Sequence, residues 1–186
     1  MTARHYMVCL DLRGRSCLVV GGGRVASEKA QGLLECGADV TLVAPAFDAE
    51  LDELPVRRIC RPFRDSDVVG RFLVIAATND RLVNSRVSSI AGRRGIPCNV
   101  ADDPELCSFI LPAIVRRDPI AVAVSTGGAS PALAQRLRDD IGELVTERHA
   151  RLAERLQELR PWAKRELSSY EERRDFFQQL VQEALT

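Results

Sequence analysis

The chain has 186 residues, and its 26 basic and 26 acidic side chains give a formal net charge of +0. That balance excludes a global pull toward nucleic acid or a membrane surface, so an anionic partner has to be met by a local patch. Hydrophobic residues at 46% and charged residues at 28% suit one globular domain with a real core and a small appendage.

The opening residues, Met1-Thr2-Ala3-Arg4-His5-Tyr6, lead into no apolar run of signal-peptide length. No stretch approaches the ~20 apolar residues of a membrane span. A cytoplasmic protein is expected. Cysteines at positions 9, 17, 36, 60, 98 and 107 include no Cys-x-x-Cys pair. They are expected to be small buried hydrophobes in a reducing compartment.

Residues 17–20, Cys-Leu-Val-Val, form a continuous apolar run, the pattern of a strand buried on both faces. Residues 25–36 place Val25, Ala26, Ala30, Leu33 and Leu34 on one helical side, with Glu28, Lys29 and Glu35 elsewhere. Gly37 stops that helix. Strands are predicted at 40–43, ended by Pro45, and at 56–60 and 72–77. A helix at 82–94 is closed by Gly95, and Cys98-Asn99-Val100 is a short strand. Strands alternating with helices predict a parallel sheet with covering helices.

Beyond Pro112 the pattern changes. Residues 109–115 and 120–124 are apolar strands separated by the turn Arg116-Arg117-Asp118-Pro119, forming a hairpin or extending the sheet. Ser130 caps a helix whose first position is Pro131. Leu133, Leu137, Ile141, Leu144, Leu152, Leu156 and Leu159 then recur mostly at three- or four-residue spacings, and Pro161 breaks the helix. Ser168 or Ser169 caps a last helix that carries Tyr170, Phe176, Phe177, Leu180 and Val181.

The chemistry starts at Gly21-Gly22-Gly23-Arg24-Val25-Ala26, which fits G-x-G-x-x-A between a buried strand and a helix. The first glycine permits the tight turn. The second lets a pyrophosphate approach the backbone, and Ala26 lets the helix pack close. Free amides and the helix dipole at Arg24 and Val25 favour phosphate charge. NAD or a close relative is the expected ligand. The carboxylate that usually ends the second strand is missing, because that strand runs Leu42-Val43-Ala44-Pro45-Ala46 and the first acid afterwards is Asp48. The ribose is then held by backbone at 44–46 or by a later residue, and NAD versus NADP stays open.

Four segments resemble the siroheme synthase dehydrogenase/ferrochelatase module, the family of precorrin-2 dehydrogenase and its bifunctional relatives. They are residues 17–26; Ala76-Ala77-Thr78-Asn79-Asp80 with Val83-Asn84; Cys98-Asn99-Val100-Ala101-Asp102-Asp103-Pro104; and residues 108–113 continuing through Ala123-Val124-Ser125-Thr126-Gly127-Gly128-Ala129-Ser130-Pro131. Their order and spacing match over essentially the whole chain, and the tail around Glu171-Glu172-Arg173 fits the family's C-terminal helices.

The resemblance implies an α/β fold with a Rossmann-like NAD-binding domain at 1–112. A dimerisation region at 113–145 and a small helical domain at 146–186 follow. It implies NAD-dependent oxidation of precorrin-2 to sirohydrochlorin, with iron insertion by some members and Fe2+ as a further substrate there. It also implies a homodimer. Nucleotide contacts are carried over to Gly21, Gly22, Gly23, Arg24, Val25, Pro45 and Ala46. Thr78 and Asn79 are expected near the cofactor, because ligands bind at the carboxyl ends of parallel strands.

Dehydrogenation sends a hydride to the nicotinamide and releases a proton, for which a carboxylate is a natural acceptor. Asp102 matches the family's catalytic aspartate, although Asp-Asp-Pro also suits a plain turn, and Asp103 is the residue most easily confused with it. The loop of Ser125, Thr126 and Gly127 precedes a helix, and its amides suit a substrate carboxylate. Arg116, Arg117, Arg136 and Arg138 are candidate basic contacts, or merely solvated charges. The two histidines, His5 and His149, offer no metal-ligand spacing, so no resident metal site is expected. Two other readings compete: a nucleotide-sensing regulatory domain, and a dimerisation module that keeps a vestigial nucleotide fold.

Overall fold

The apolar run near the amino terminus becomes strand β1 (Ser16–Val20), in which Cys17, Leu18 and Val19 are wholly buried. In the computed structural model, which describes residues 5–186, helix α1 (Arg24–Glu35) and strands β2 (Asp39–Ala44), β3 (Arg57–Cys60) and β4 (Leu73–Ala76) follow. Helix α2 (Arg81–Arg93) and strand β5 (Cys98–Val100) complete the alternation. Met1–Arg4, part of the opening read for a targeting segment, lie outside the described residues.

The five strands are all parallel, in the order β3-β2-β1-β4-β5. This is the Rossmann-like sheet, whose order reverses beside β1, between β2 and β4. Side chains of β1 alternate between two cores. Cys17 and Val19 pack with Ala26, Ala30 and Leu33 of α1, while Leu18 and Val20 pack with Val87, Ile90 and Ala91 of α2. Each fully buried leucine or valine contributes roughly 1.5–3 kcal/mol, so the two-sided burial of β1 makes it the centre of the fold. Asp67 is buried against Arg61, which meets both its oxygens at 2.6 and 2.8 Å. The hydrogen-bonded guanidinium holds the Asp67 carboxyl below the usual carboxylate range.

His5–Leu111 form one compact unit and Pro112–Thr186 another. In the second, β6 (Ala113–Arg117) and β7 (Ile120–Val124) make an antiparallel hairpin, separate from the parallel sheet. Residues 109–112, expected to begin a strand, do not. The chain just before them is already bonded to the free edge of β5. Ser108 N–H donates to Cys98 O and Cys98 N–H to Ser108 Oγ, both at 2.8 Å, while Asn99 Nδ2 donates to Phe109 O. Pro112 then has no amide to pair.

Helices α3 (Pro131–Leu144), α4 (Glu147–Glu166) and α5 (Tyr170–Leu185) follow, with Ser130 and Ser169 as N-caps of the first and last. The expected helix break at Pro161 is corrected. The leucine-rich stretch divides at Val145 and Thr146, where Thr146 and His149 cap each other, and α4 runs on through Pro161. Proline removes one helical hydrogen bond. Packing beyond it outweighs that loss: Ala163 is fully buried, and Trp162 packs at a tilt against Phe176 of α5 with ring centroids 5.4 Å apart.

The cysteine expectation is also corrected. Cys17 and Cys98 are buried, but Cys9 and Cys60 are exposed and Cys36 and Cys107 half-buried. Burial pushes the Cys17 thiol up to about 11 and the Cys98 thiol to about 12, so neither is a thiolate nucleophile. Among the described residues no helix is long and apolar enough to cross a membrane.

Candidate dinucleotide and catalytic site

The glycine turn leaves β1 at its carboxyl end. Gly21 has φ 142°, and a Cβ on it would stand 2.3 Å from Ala77 O and 3.3 Å from Ala26 Cβ. The turn is therefore pressed between the end of β4 and the first turn of α1, which is why Ala26 is small and wholly buried. At Gly22 a Cβ would stand 1.9 Å from Ala46 O, so this glycine admits the loop after β2. Gly23 differs, because its missing Cβ would meet only Asp48 Oδ2, at 3.6 Å. The open side of the turn is at Gly23, as the approach of a pyrophosphate requires.

The helix end behind it is bare. Gly23 supplies no side-chain cap to α1, and the amide of Ser27, bonded to Gly23 O at 3.0 Å, is the first to find a helical partner. The amides of Arg24 and Val25 make no hydrogen bond among the described residues. Unpaired amides and the positive end of the helix dipole form an anion cradle. The residues present thus fit a dinucleotide pyrophosphate.

Around the cradle, Pro45 and Ala46 are exposed on the loop after β2. That loop folds back onto the turn through Asp48 N–H to Gly22 O at 2.8 Å. Arg24 pairs with Glu28 along α1 at 3.3 Å, both side chains being largely solvated. The Thr78 hydroxyl is already committed: it donates to Asn84 Oδ1 at 2.7 Å, and Asp80 N–H donates to it at 3.1 Å. Asn84 Nδ2 returns a bond to Thr78 O. Thr78 therefore shapes the strand-end turn, and exposed Asn79 is the side chain with freedom to reach a ligand.

Asp102 lies on the same edge. The sheet ladder continues past the strand ends, with Ala77 N–H bonded to Val20 O and Ala101 N–H to Ala76 O. Asp102 is thus displaced from the glycine turn by two strand spacings, roughly 10 Å. It is exposed, and it is the one non-glycine residue with positive φ (60°) among the described residues. Aspartate tolerates this left-handed conformation better than most residues, at some cost in strain. Asp103 is different. Its side chain is 18% exposed and pairs with Arg81 Nε at 3.1 Å. Its backbone O, with Val100 N–H and O, contacts Cys107 Sγ at 3.1–3.3 Å. Arg81 and Cys107 clamp the loop; Asp102 projects from it.

The sequence shows Asp48 only as the first acid after β2 and gives no sign of a role for Arg81 or Cys107. In the sequence Cys107 is indistinguishable from the other cysteines, all expected to be small buried hydrophobes. The opposite charges of Arg81 and Asp103 carry no local signal, since only the sheet brings α2 beside the loop after β5.

Ser125, Thr126 and Gly127 belong to the other unit. Their polar groups largely satisfy one another. Gly127 N–H donates to Ser125 Oγ at 3.2 Å, Ser130 N–H to Thr126 Oγ1 at 3.1 Å, and Leu133 N–H to Ser130 Oγ at 3.2 Å. In the same unit Arg116, Arg117 and Arg138 line a depression of about 510 Å³ together with Asp139 and Glu143, so it is of mixed charge. Arg136 is paired with Asp140 and Arg138 with Asp139.

Known proteins share this architecture. A family profile described as NAD(P)-binding matches residues 8–113, and one described as sirohaem biosynthesis protein, central, matches residues 117–144. A solved structure titled SirC, precorrin-2 dehydrogenase, superposes with a TM-score of 0.81 at 31% identity, covering 98% of this chain and 93% of that one. The chain belongs to the siroheme synthase N-terminal family. Relatives in that family include siroheme synthases of Nitrosomonas eutropha, 42% identical over 183 residues, and Thioalkalivibrio sulfidiphilus, 44% identical over 185 residues. The matches cover 96% and 97% of this chain, which spans 38% of the length of each of those relatives.

Proposed function

We propose that this chain oxidises precorrin-2 to sirohydrochlorin with NAD as acceptor, in siroheme biosynthesis. The observation that carries the reading is the shared edge: an uncapped dinucleotide cradle at Gly23, after β1, and a projecting carboxylate at Asp102, after β5, stand at the same carboxyl edge of the sheet, two strand spacings apart. The end-to-end match to the precorrin-2 dehydrogenase structure supports it.

The reaction removes two electrons and two protons from the reduced macrocycle. When bound, NAD accepts one hydrogen as hydride. The other leaves as a proton, and Asp102 is positioned to take it and release it to water. Gly21, Gly22 and Gly23, with the amides of Arg24 and Val25, would hold the pyrophosphate. Pro45 and Ala46 would hold the adenosine half, and Asn79 and the backbone at Thr78 would lie toward the reacting half. The clamp of Arg81 and Cys107 keeps Asp102 aimed outward without drawing its carboxylate into a salt bridge. Ser125, Thr126 and Gly127 are assigned to a substrate carboxylate, mainly through groups their mutual bonds leave free. Incubation with precorrin-2 and NAD should produce NADH absorbance in step with sirohydrochlorin. No turnover by well-folded protein would reject this reading.

Two finer features belong to it. The protein forms a homodimer through residues 113–145, where Ile114, Leu133, Leu137 and Leu144 are exposed apolar side chains. Light scattering after size exclusion checks this, with a monomer at micromolar concentration as the contrary result. Where iron insertion accompanies oxidation, Fe2+ is a substrate delivered to the macrocycle nitrogens and Asp102 accepts the displaced N–H protons. Adding Fe2+ to sirohydrochlorin tests that step alone.

A further inference from the structure

The strand that should end in an acid ends in Ala44, yet a carboxylate stands beside the glycine turn. Asp48 lies four residues past the end of β2 and 25 residues after Gly23. The loop between them does not lead away from the site. The contact of Ala46 O with the face of Gly22, and the 2.8 Å bond from Asp48 N–H to Gly22 O, fold it back onto the turn. The result puts Asp48 Oδ2 3.6 Å from the place of a Gly23 Cβ, on the side where the cradle is open. The carboxylate is unused by the fold. It caps no helix, makes no ion pair among the described residues, and its residue is exposed.

We infer that Asp48 replaces the missing strand-end acid, accepting hydrogen bonds from the adenosine ribose hydroxyls and selecting NAD against NADP. The inference rests on the dinucleotide reading of the glycine turn. In this fold the pyrophosphate approaches the second glycine, and an acid after the second strand accepts from the adjoining ribose 2′-hydroxyl. A carboxylate pairs well with a diol. Against a 2′-phosphate it is a like charge with no proton to donate, so selectivity comes from repulsion as well as attraction. The cation at the same rim, Arg24, is the group that could favour a phosphate, and Glu28 engages it at 3.3 Å. The acid therefore dominates the ribose side of the cradle.

The test uses calorimetry with ADP-ribose and 2′-phospho-ADP-ribose, which need neither substrate nor turnover. NAD and NADP are titrated in parallel. Wild-type protein should prefer the unphosphorylated ligand of each pair by about tenfold or more, the worth of one charge-assisted hydrogen bond. Asp48→Ala and Asp48→Asn should bring that ratio close to one, with the main loss on the unphosphorylated side for Asp48→Ala. Because the backbone of Asp48, not its side chain, holds the loop, both variants should unfold at the wild-type temperature. A preserved ratio in both variants overturns the role of Asp48 and leaves nucleotide binding standing. A ratio that changes in Arg24→Ala but not in the Asp48 variants overturns it too. Failure of wild-type protein to bind any of the four ligands removes the dinucleotide reading itself, and this inference with it.

Discussion

Two glycine-containing turns in this chain each feed a helix, and they are built in opposite ways. At α1 the N-cap is Gly23, no side chain caps the helix, and the first amides are free. At α3 the N-cap is Ser130, whose hydroxyl takes the Leu133 amide, while Thr126 and Ser125 occupy two more amides of the turn. Both sequences look like anion sites, because glycine before a helix suggests exposed amides and a favourable dipole. The first leaves the Arg24 and Val25 amides unbonded, whereas the second engages the amides of Gly127, Ser130 and Leu133 with its own side chains. A helix end binds an anion to the extent that the protein refrains from satisfying it. The same contrast separates the adjacent acids: Asp103 is paired with Arg81, and Asp102 is left open.

The strongest test of this contrast is at the acids. Asp102→Ala should lower turnover by about 10²–10⁴-fold, the usual worth of a proton-transfer group, with NAD affinity retained. Asp103→Ala should cost less than tenfold in kcat, since its carboxylate only ties down the loop. Equal losses from the two would break the distinction between open and paired groups. Next comes Gly22→Ala, which drives a methyl into the Ala46 carbonyl. Its expected cost is about 1–3 kcal/mol in denaturant unfolding, together with a clear loss of dinucleotide affinity. Wild-type stability in this variant would mean that the loop does not press on the turn.

Ser130→Ala removes a working cap and should destabilise the protein by about 1 kcal/mol in denaturant unfolding, leaving NAD affinity unchanged. The smallest effect on stability carries the sharpest comparison. Gly23→Ser should fit without a clash and give α1 the cap it lacks, raising apoprotein stability by a few tenths of a kcal/mol. The same hydroxyl should compete for the amides and weaken NAD binding in calorimetry. Tighter binding in Gly23→Ser would show that free amides are not the basis of the cradle.

The regions differ as much in how well they read from the sequence. Between β1 and β5, strands and helices follow the apolar runs within a residue or two, because the central strands, buried on both faces, must be continuously apolar. In Pro112–Thr186, the leucine spacing runs two helices together, and Pro161, which by its chemistry should break α4, is overridden by packing against α5. The capping exchange between Thr146 and His149 is a local signal that could have placed the boundary.

What the sequence determined by itself is the part of the protein whose causes are local. The run of Cys17 to Val20, the glycines after it and the small Ala26 require a strand, a tight turn and a close-packed helix wherever they occur. The tertiary structure decided what is left unsatisfied, because that depends on partners distant along the chain. Asp48 returns to Gly23 by a loop closed on Gly22, and Arg81 crosses from α2 to hold Asp103. Whether an amide or a carboxylate is free for chemistry is settled by the neighbours that the fold brings to it.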